Sequence, residues 1–167
     1  NGTANVIHFK DSITTISTRK TDTSIALFKD CAGCKVLEVE DTPMGDLANR
    51  MPSLTTSLLT KYGKQWTYAI AVNDLYFDFS APSLQAAGVD PTSGYPRQIS
   101  SGDGSVTAFQ RIRQRRYQIG TVAEPLHLQG WMCIDELNRA FAGQPPSGFV
   151  PPACVAPAID AAAVSCE

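Results

Sequence analysis

The stretch Ala69-Ile70-Ala71-Val72-Asn73-Asp74 decides how this chain reads. An apolar run with strand character ends abruptly in an amide and a carboxylate. The pattern recurs downstream, where Arg97-Gln98-Ile99-Ser100 runs into Gly102-Asp103-Gly104 and Ile119-Gly120-Thr121-Val122-Ala123 runs into Glu124-Pro125. Each run precedes residues with helical spacing, so each opens a strand–helix unit. Parallel strands joined by helices share one carboxyl edge, and open α/β sheets bind ligands there. Asn73, Asp74, Asp103 and Glu124 are therefore expected on a single rim, as half of a binding cleft rather than a self-contained catalyst.

Outward from these runs, strand and helix alternate with a period of about thirty residues, the signature of βα units. Strands are predicted over 5–9, 35–39, 67–72, 98–101 and 119–123. The first helix is predicted over 15–30. The second carries Leu47, Met51, Leu54 and Leu58 in an amphipathic stripe stopped by Gly63, with Pro52 predicting a kink or a late start. The third holds Leu75, Tyr76 and Phe79, is disturbed by Pro82 and ends at Gly88; the fourth holds Val106, Phe109 and Ile112. The last places Leu126, Gly130, Cys133, Ile134, Leu137 and Phe141 on one face, with Cys133 read as core. Pro145, Pro146, Pro151 and Pro152 then mark an extended segment. The expected fold is α/β: a three-layer sandwich around a parallel, Rossmann-like sheet of about five strands.

At 167 residues the chain is long enough for one proper core. With 43% hydrophobic residues and a net charge of −2, it lacks the basic face that nucleic acid requires. Arg111, Arg113, Arg115 and Arg116 form its basic cluster, read as a solvated helix face. No run approaches the ~20 apolar residues of a membrane helix. The chain begins without an initiator Met or signal peptide, directly before a strand, and is expected to be a processed or truncated piece.

Five cysteines are present. Cys31-Ala32-Gly33-Cys34 has redox-motif spacing but follows a helix and precedes a strand. A redox pair instead opens a helix, where the dipole lowers the thiol pKa. A small structural disulfide is the favoured reading, ahead of free thiols, and it favours an oxidising compartment. Cys154 and Cys166 are a further candidate pair. A zinc site needs more ligands at suitable spacing than His8 and His127 supply, so no metal is expected. His8 reads as a half-buried strand residue, and His127 as a cap or surface residue of the last helix. With no nucleophile elbow and no phosphate loop, neither a catalytic residue nor a cofactor is expected.

Binding fits the rim better. Asn73 offers donors and an acceptor, while Asp74, Asp103 and Glu124 accept. Planar amides and carboxylates grip the adjacent hydroxyls of a polyol through charge-assisted hydrogen bonds. Any one of these residues alone reads equally as a helix cap; three strand ends together point to a ligand. Arg19, early in the first helix, is placed on the same rim or facing solvent. Tyr76 and Phe77 read as a wall against a sugar ring or as core.

Over residues 4–152 the chain resembles the second lobe of type I periplasmic sugar-binding proteins of ABC transporters. The resemblance rests on Ala71-Val72-Asn73-Asp74, on Gly102-Asp103-Gly104-Ser105 with Ala108-Phe109-Gln110-Arg111-Ile112-Arg113, on Thr121-Val122-Ala123-Glu124-Pro125, and on the helix from Gly130 to Gly143. It implies sugar contacts for Asn73, Asp103 and Glu124, with Arg19 and Met44 at further family contact positions. It also implies a ligand-binding lobe over 1–124, a crossover helix and segment of the other lobe over 125–150, and a tail over 151–167. The implied function is a periplasmic receptor that traps a sugar or polyol between two lobes and delivers it to a membrane permease. The alternatives are the effector domain of a LacI-type repressor and a small α/β enzyme using a rim carboxylate. Since the first lobe is missing, the 125–142 helix is expected to pack on a neighbouring molecule, extend from the sheet, or cover this lobe in a new way.

Overall fold

The computed structural model describes residues 2–157 and 165–166, the last two and 154–157 as backbone only. Five parallel strands form the body of the sheet: β1 (Ala4–Lys10), β2 (Cys34–Asp41), β3 (Tyr68–Ala71), β4 (Arg97–Ser101) and β5 (Gln118–Ala123). Two short antiparallel strands, β6 (Cys154–Pro157) and β7 (Ser165–Cys166), extend it, giving the order β2-β1-β3-β4-β5-β6-β7. The tail, expected as a separate segment, therefore adds an edge to the sheet. The side-chain pairing read for Cys154 and Cys166 lies outside the described residues.

The helices are α1 (Thr15–Lys29), α2 (Leu47–Tyr62), α3 (Leu75–Ala86), α4 (Val106–Arg113) and α5 (Leu126–Phe141). The stripe on α2 does what its spacing predicts: Leu47, Met51 and Leu58 are buried and Leu54 is partly so. Pro52 neither ends nor delays this helix, which runs through it unbroken. Ile7 and Phe9 of β1 and Ala69 and Ala71 of β3 meet α2 and α3 in one core, with Trp66, Tyr76 and Phe77. Each fully buried large side chain of this kind contributes roughly 1.5–3 kcal/mol. This core makes a firm backing for the loops above it. Tyr76 and Phe77 belong to it entirely, with no exposed surface left for a ligand.

Strands β1 and β3 are neighbours although β2 intervenes in the chain, so the order reverses direction between them. Crossovers leave such a switch point on opposite sides of the sheet and open a crevice at the carboxyl ends. Cys31 and Cys34 form a disulfide between α1 and β2, as their position predicts.

Helix α5 departs from this plan. None of its residues is buried, and Cys133, expected in a core, is an exposed free thiol. Among the described residues it extends from the sheet rather than covering this lobe. No described helix is long and apolar enough to cross a membrane.

Candidate functional site

The rim is assembled from loops that follow β3, β4 and β5. Parallel registry aligns Ala71 with Ser100 and Ser101 with Val122, so the residues just beyond them emerge side by side. Asn73 Nδ2 donates to Asp103 Oδ2 at 2.6 Å, and Asn73 Oδ1 accepts from the Leu75 amide at 2.8 Å. Glu124 joins them through Gly102, where an added Cβ would stand 3.7 Å from Glu124 Oε1 and 2.9 Å from the Val72 carbonyl. Asn73, Asp103 and Glu124, far apart in the chain, thus lie on one edge.

Asp74 is placed differently from its neighbour. It is 0% exposed, and its carboxylate is filled from within the protein. Gln118 Nε2 donates to it at 2.7 Å, the Gly104 and Ser105 amides at 2.9 and 3.2 Å, and the Ser100 hydroxyl closes the set. Gln118 is held in turn by Arg111 Nε at 3.0 Å, and the Arg111 guanidinium pairs with Asp78. Arg111 therefore leaves the solvated cluster expected for it: its side chain is only 13% exposed. Asp74 positions the 102–104 turn against Asn73 and presents no oxygen to a ligand in this structure.

Within that turn Asp103 has φ +60°, flanked by Gly102 and Gly104. Asp103 does not cap the following helix. Ser105 does, its hydroxyl accepting from the Ala108 amide at 3.1 Å. Asp103 is thereby free to turn its carboxylate toward Asn73. Gly104 combines φ +70° with a would-be Cβ only 2.5 Å from the Ala123 side chain. Gly104→Ala is expected to cost about 2 kcal/mol through strain and overpacking. Urea midpoints would measure it, and a loss below roughly half of that would show that the turn yields.

The cation on the rim is Lys20, which sequence reasoning missed. Its Nζ donates to the Ser101 carbonyl at 2.9 Å and pairs with Glu124 Oε1 at 3.2 Å. Arg19, one residue earlier on α1, is exposed and makes no salt bridge among the described residues. One helical residue is a turn of about 100°, and at the sequence level nothing distinguished which of two adjacent cations faces the sheet. Met44 sits in a short 3-10 turn after β2, half-buried against the core, its amide donating to Asp11 Oδ2 at 3.1 Å. Tyr76 Oη donates to the Thr42 carbonyl at 2.6 Å and anchors that loop from below.

Beneath the rim His8 is buried, edge-on to Phe28, with Nε2 unpartnered. Burial disfavours its charged form and pushes its pKa down to about 4, which suits a structural residue rather than a base at neutral pH. His127 is exposed on α5. The described residues contain no cluster able to hold a metal ion.

No protein-family model matches the sequence, and no curated protein matches it. Solved structures match the fold. An ABC transporter periplasmic solute-binding protein from Actinobacillus succinogenes 130z with bound D-allose superposes with a TM-score of 0.79 at 15% identity, over 95% of this chain and 54% of that one. An ABC transporter solute-binding protein from Agrobacterium vitis with bound allitol gives 0.75 at 21% identity, over 93% and 54%. A sugar ABC transporter protein from Yersinia enterocolitica gives 0.79 at 21% identity, over 95% and 47%. The chain thus spans about half the length of the structures it matches. It has the fold of one lobe of a type I periplasmic solute-binding protein.

Proposed function

We propose that this chain is the ligand-binding lobe of a periplasmic receptor for a sugar or related polyol, which delivers its ligand to an ABC-transporter permease without chemical turnover. The observation that supports this most is the crowding of Asn73, Asp103, Glu124 and Lys20 on one rim. Amide, carboxylate and ammonium groups there alternate donors and acceptors, the pattern that vicinal hydroxyls complement. Two of the similar structures hold D-allose and allitol, which favours the same ligand class. Met44 and Arg19 are proposed as further contact positions, whereas Asp74 acts through the loop it holds.

Calorimetry with a panel of pentoses, hexoses and alditols tests the reading. In protein containing both halves of the cleft, Asn73→Ala or Asp103→Ala is expected to weaken binding by about 1.5–3 kcal/mol, the range for hydrogen bonds to charged groups. Unchanged affinity in both variants would reject it. A single lobe should bind weakly, since half the contacts and the closure step are absent.

A further inference from the structure

A cavity of about 870 Å³ opens at the amino edge of the sheet, at the end opposite the rim. Strand β1 alone spans seven residues, so the two ends stand about 20 Å apart. Leu59 of α2, Tyr68 at the start of β3, Val89 beyond α3 and Tyr95 before β4 contribute its walls. Sugar binding at the rim makes no use of it.

The walls are firm. The indole of Trp66, buried in the core, donates to the Tyr68 carbonyl at 2.8 Å. The segment carrying Val89 and Tyr95 is fixed by Tyr117, itself buried. The Tyr117 amide donates to the Pro91 carbonyl at 2.7 Å and its hydroxyl to the Val89 carbonyl at 3.2 Å. Within that segment Asp90 Oδ1 accepts from the Thr92 and Ser93 amides at 2.9 and 2.7 Å. The threonines of the lining are less polar than they read. Thr56 and Thr60 donate back to the Pro52 and Thr56 carbonyls at 3.0 Å, and Thr67 donates to the Asn5 carbonyl at 3.1 Å. With those hydroxyls engaged by backbone, their methyl groups are what the cavity can use.

Three features favour positive charge in this place. Tyr68 and Tyr95 meet edge to face, with ring centroids 6.3 Å apart and planes at 74°, and so make a corner of two aromatic surfaces. The electron-rich face of such a ring attracts an organic cation. Helix α2 ends at Gly63 and α3 just before Gly88, both on the cavity, and helix C-termini carry unsatisfied carbonyls and a partial negative charge. Open space surrounds both glycines where a Cβ would stand, so no side chain covers those carbonyls there. Asp90 adds a full charge, since hydrogen bonds from Ser93 hold its carboxyl below the usual range. Lys64 is the opposing charge in the lining; it is exposed, and its long stem lets the ammonium stay in water.

We propose that this cavity binds a quaternary or tertiary ammonium compound. The methylated nitrogen sits in the corner of Tyr68 and Tyr95, close to Asp90 and the two helix ends, and an apolar body lies against Leu59 and Val89. Methylation matters because a ring face offers no directed acceptor, whereas a bulky, weakly hydrated cation needs none. The site stands apart from the receptor reading, which concerns the other end of the sheet.

Nuclear magnetic resonance titration with choline and with its neutral carbon isostere, dimethylbutanol, tests the proposal. Choline at about millimolar concentration should shift the amides of Gly63, Gly88 and Gly94 saturably, and the alcohol should bind about tenfold more weakly. Tyr95 is 51% exposed, so its replacement leaves the fold intact, as circular dichroism would verify. Tyr95→Leu should weaken choline about tenfold, and Tyr95→Phe, which keeps the ring face, should leave it nearly unchanged. Lys64→Gln should tighten choline roughly two- to threefold by removing a like charge. Absence of shifts, equal affinity for the two probes, shifts confined to Gly102, Gly104 or Gly130, or Tyr95→Phe as damaging as Tyr95→Leu would each overturn it.

Discussion

Asp74→Ala is expected to be among the most damaging substitutions in the chain, lowering the unfolding free energy by about 3–5 kcal/mol. The reason is the number of groups that Asp74 satisfies at once. Its two oxygens accept from Gln118, Gly104 and Ser105, and from the Ser100 hydroxyl, at a position with no exposed surface. An unsatisfied buried donor costs about 1–3 kcal/mol, and water has no ready access to replace the carboxylate. Ser100→Ala removes one donor and keeps the acceptor, so it should cost far less. Asp74→Ala should also release the 102–104 turn and weaken ligand binding without touching a ligand. Urea denaturation of both variants decides the matter: an Asp74→Ala loss no greater than that of Ser100→Ala would show that the network is not the support described.

The second large effect is a loss of stability in acid centred on His8. Its pKa falls from 6.5 to about 4 on folding because burial removes the charged ring from water. Between those values the unfolded chain binds a proton that the folded chain does not, so stability is full above pH 6.5 and declines as pH falls toward 4. A shift of this size corresponds to about 3 kcal/mol. His8→Leu, close in volume and unable to titrate, should remove that part of the slope and leave stability at neutral pH little changed. Urea midpoints at pH 7, 5.5 and 4 would show the difference. Parallel profiles for the two proteins would mean that the acid loss comes from other groups.

Much of the architecture was legible because periodicity reports burial directly. The strand runs around Val6, Val36, Ile70, Ile99 and Val122 and the stripe on α2 each match an observed element. The rim was legible for the same reason: in a parallel sheet, the residue after a strand has its position dictated by topology. Pro52 does not delay α2, because tertiary packing of Leu47, Met51 and Leu58 outweighs a missing backbone hydrogen bond. Cys133 misled the reading because an amphipathic face shows only that a helix seeks a partner, and none of the described residues covers α5.

By itself the sequence determined the five βα units, the shared carboxyl edge and the meeting of Asn73, Asp103 and Glu124, since all three follow from local periodicity and strand direction. Only the tertiary structure decided which polar groups turn inward. Asn73 and Asp74 are adjacent, yet one reaches the rim and the other is sealed beneath it; Arg19 and Lys20 also part, Lys20 reaching the rim and Arg19 facing solvent. A single residue step rotates a side chain to a different face, and which face is buried depends on elements distant in the chain. The added edge strands and the unpartnered α5 belong to that second class, because both depend on what lies beside a surface rather than on the residues that form it.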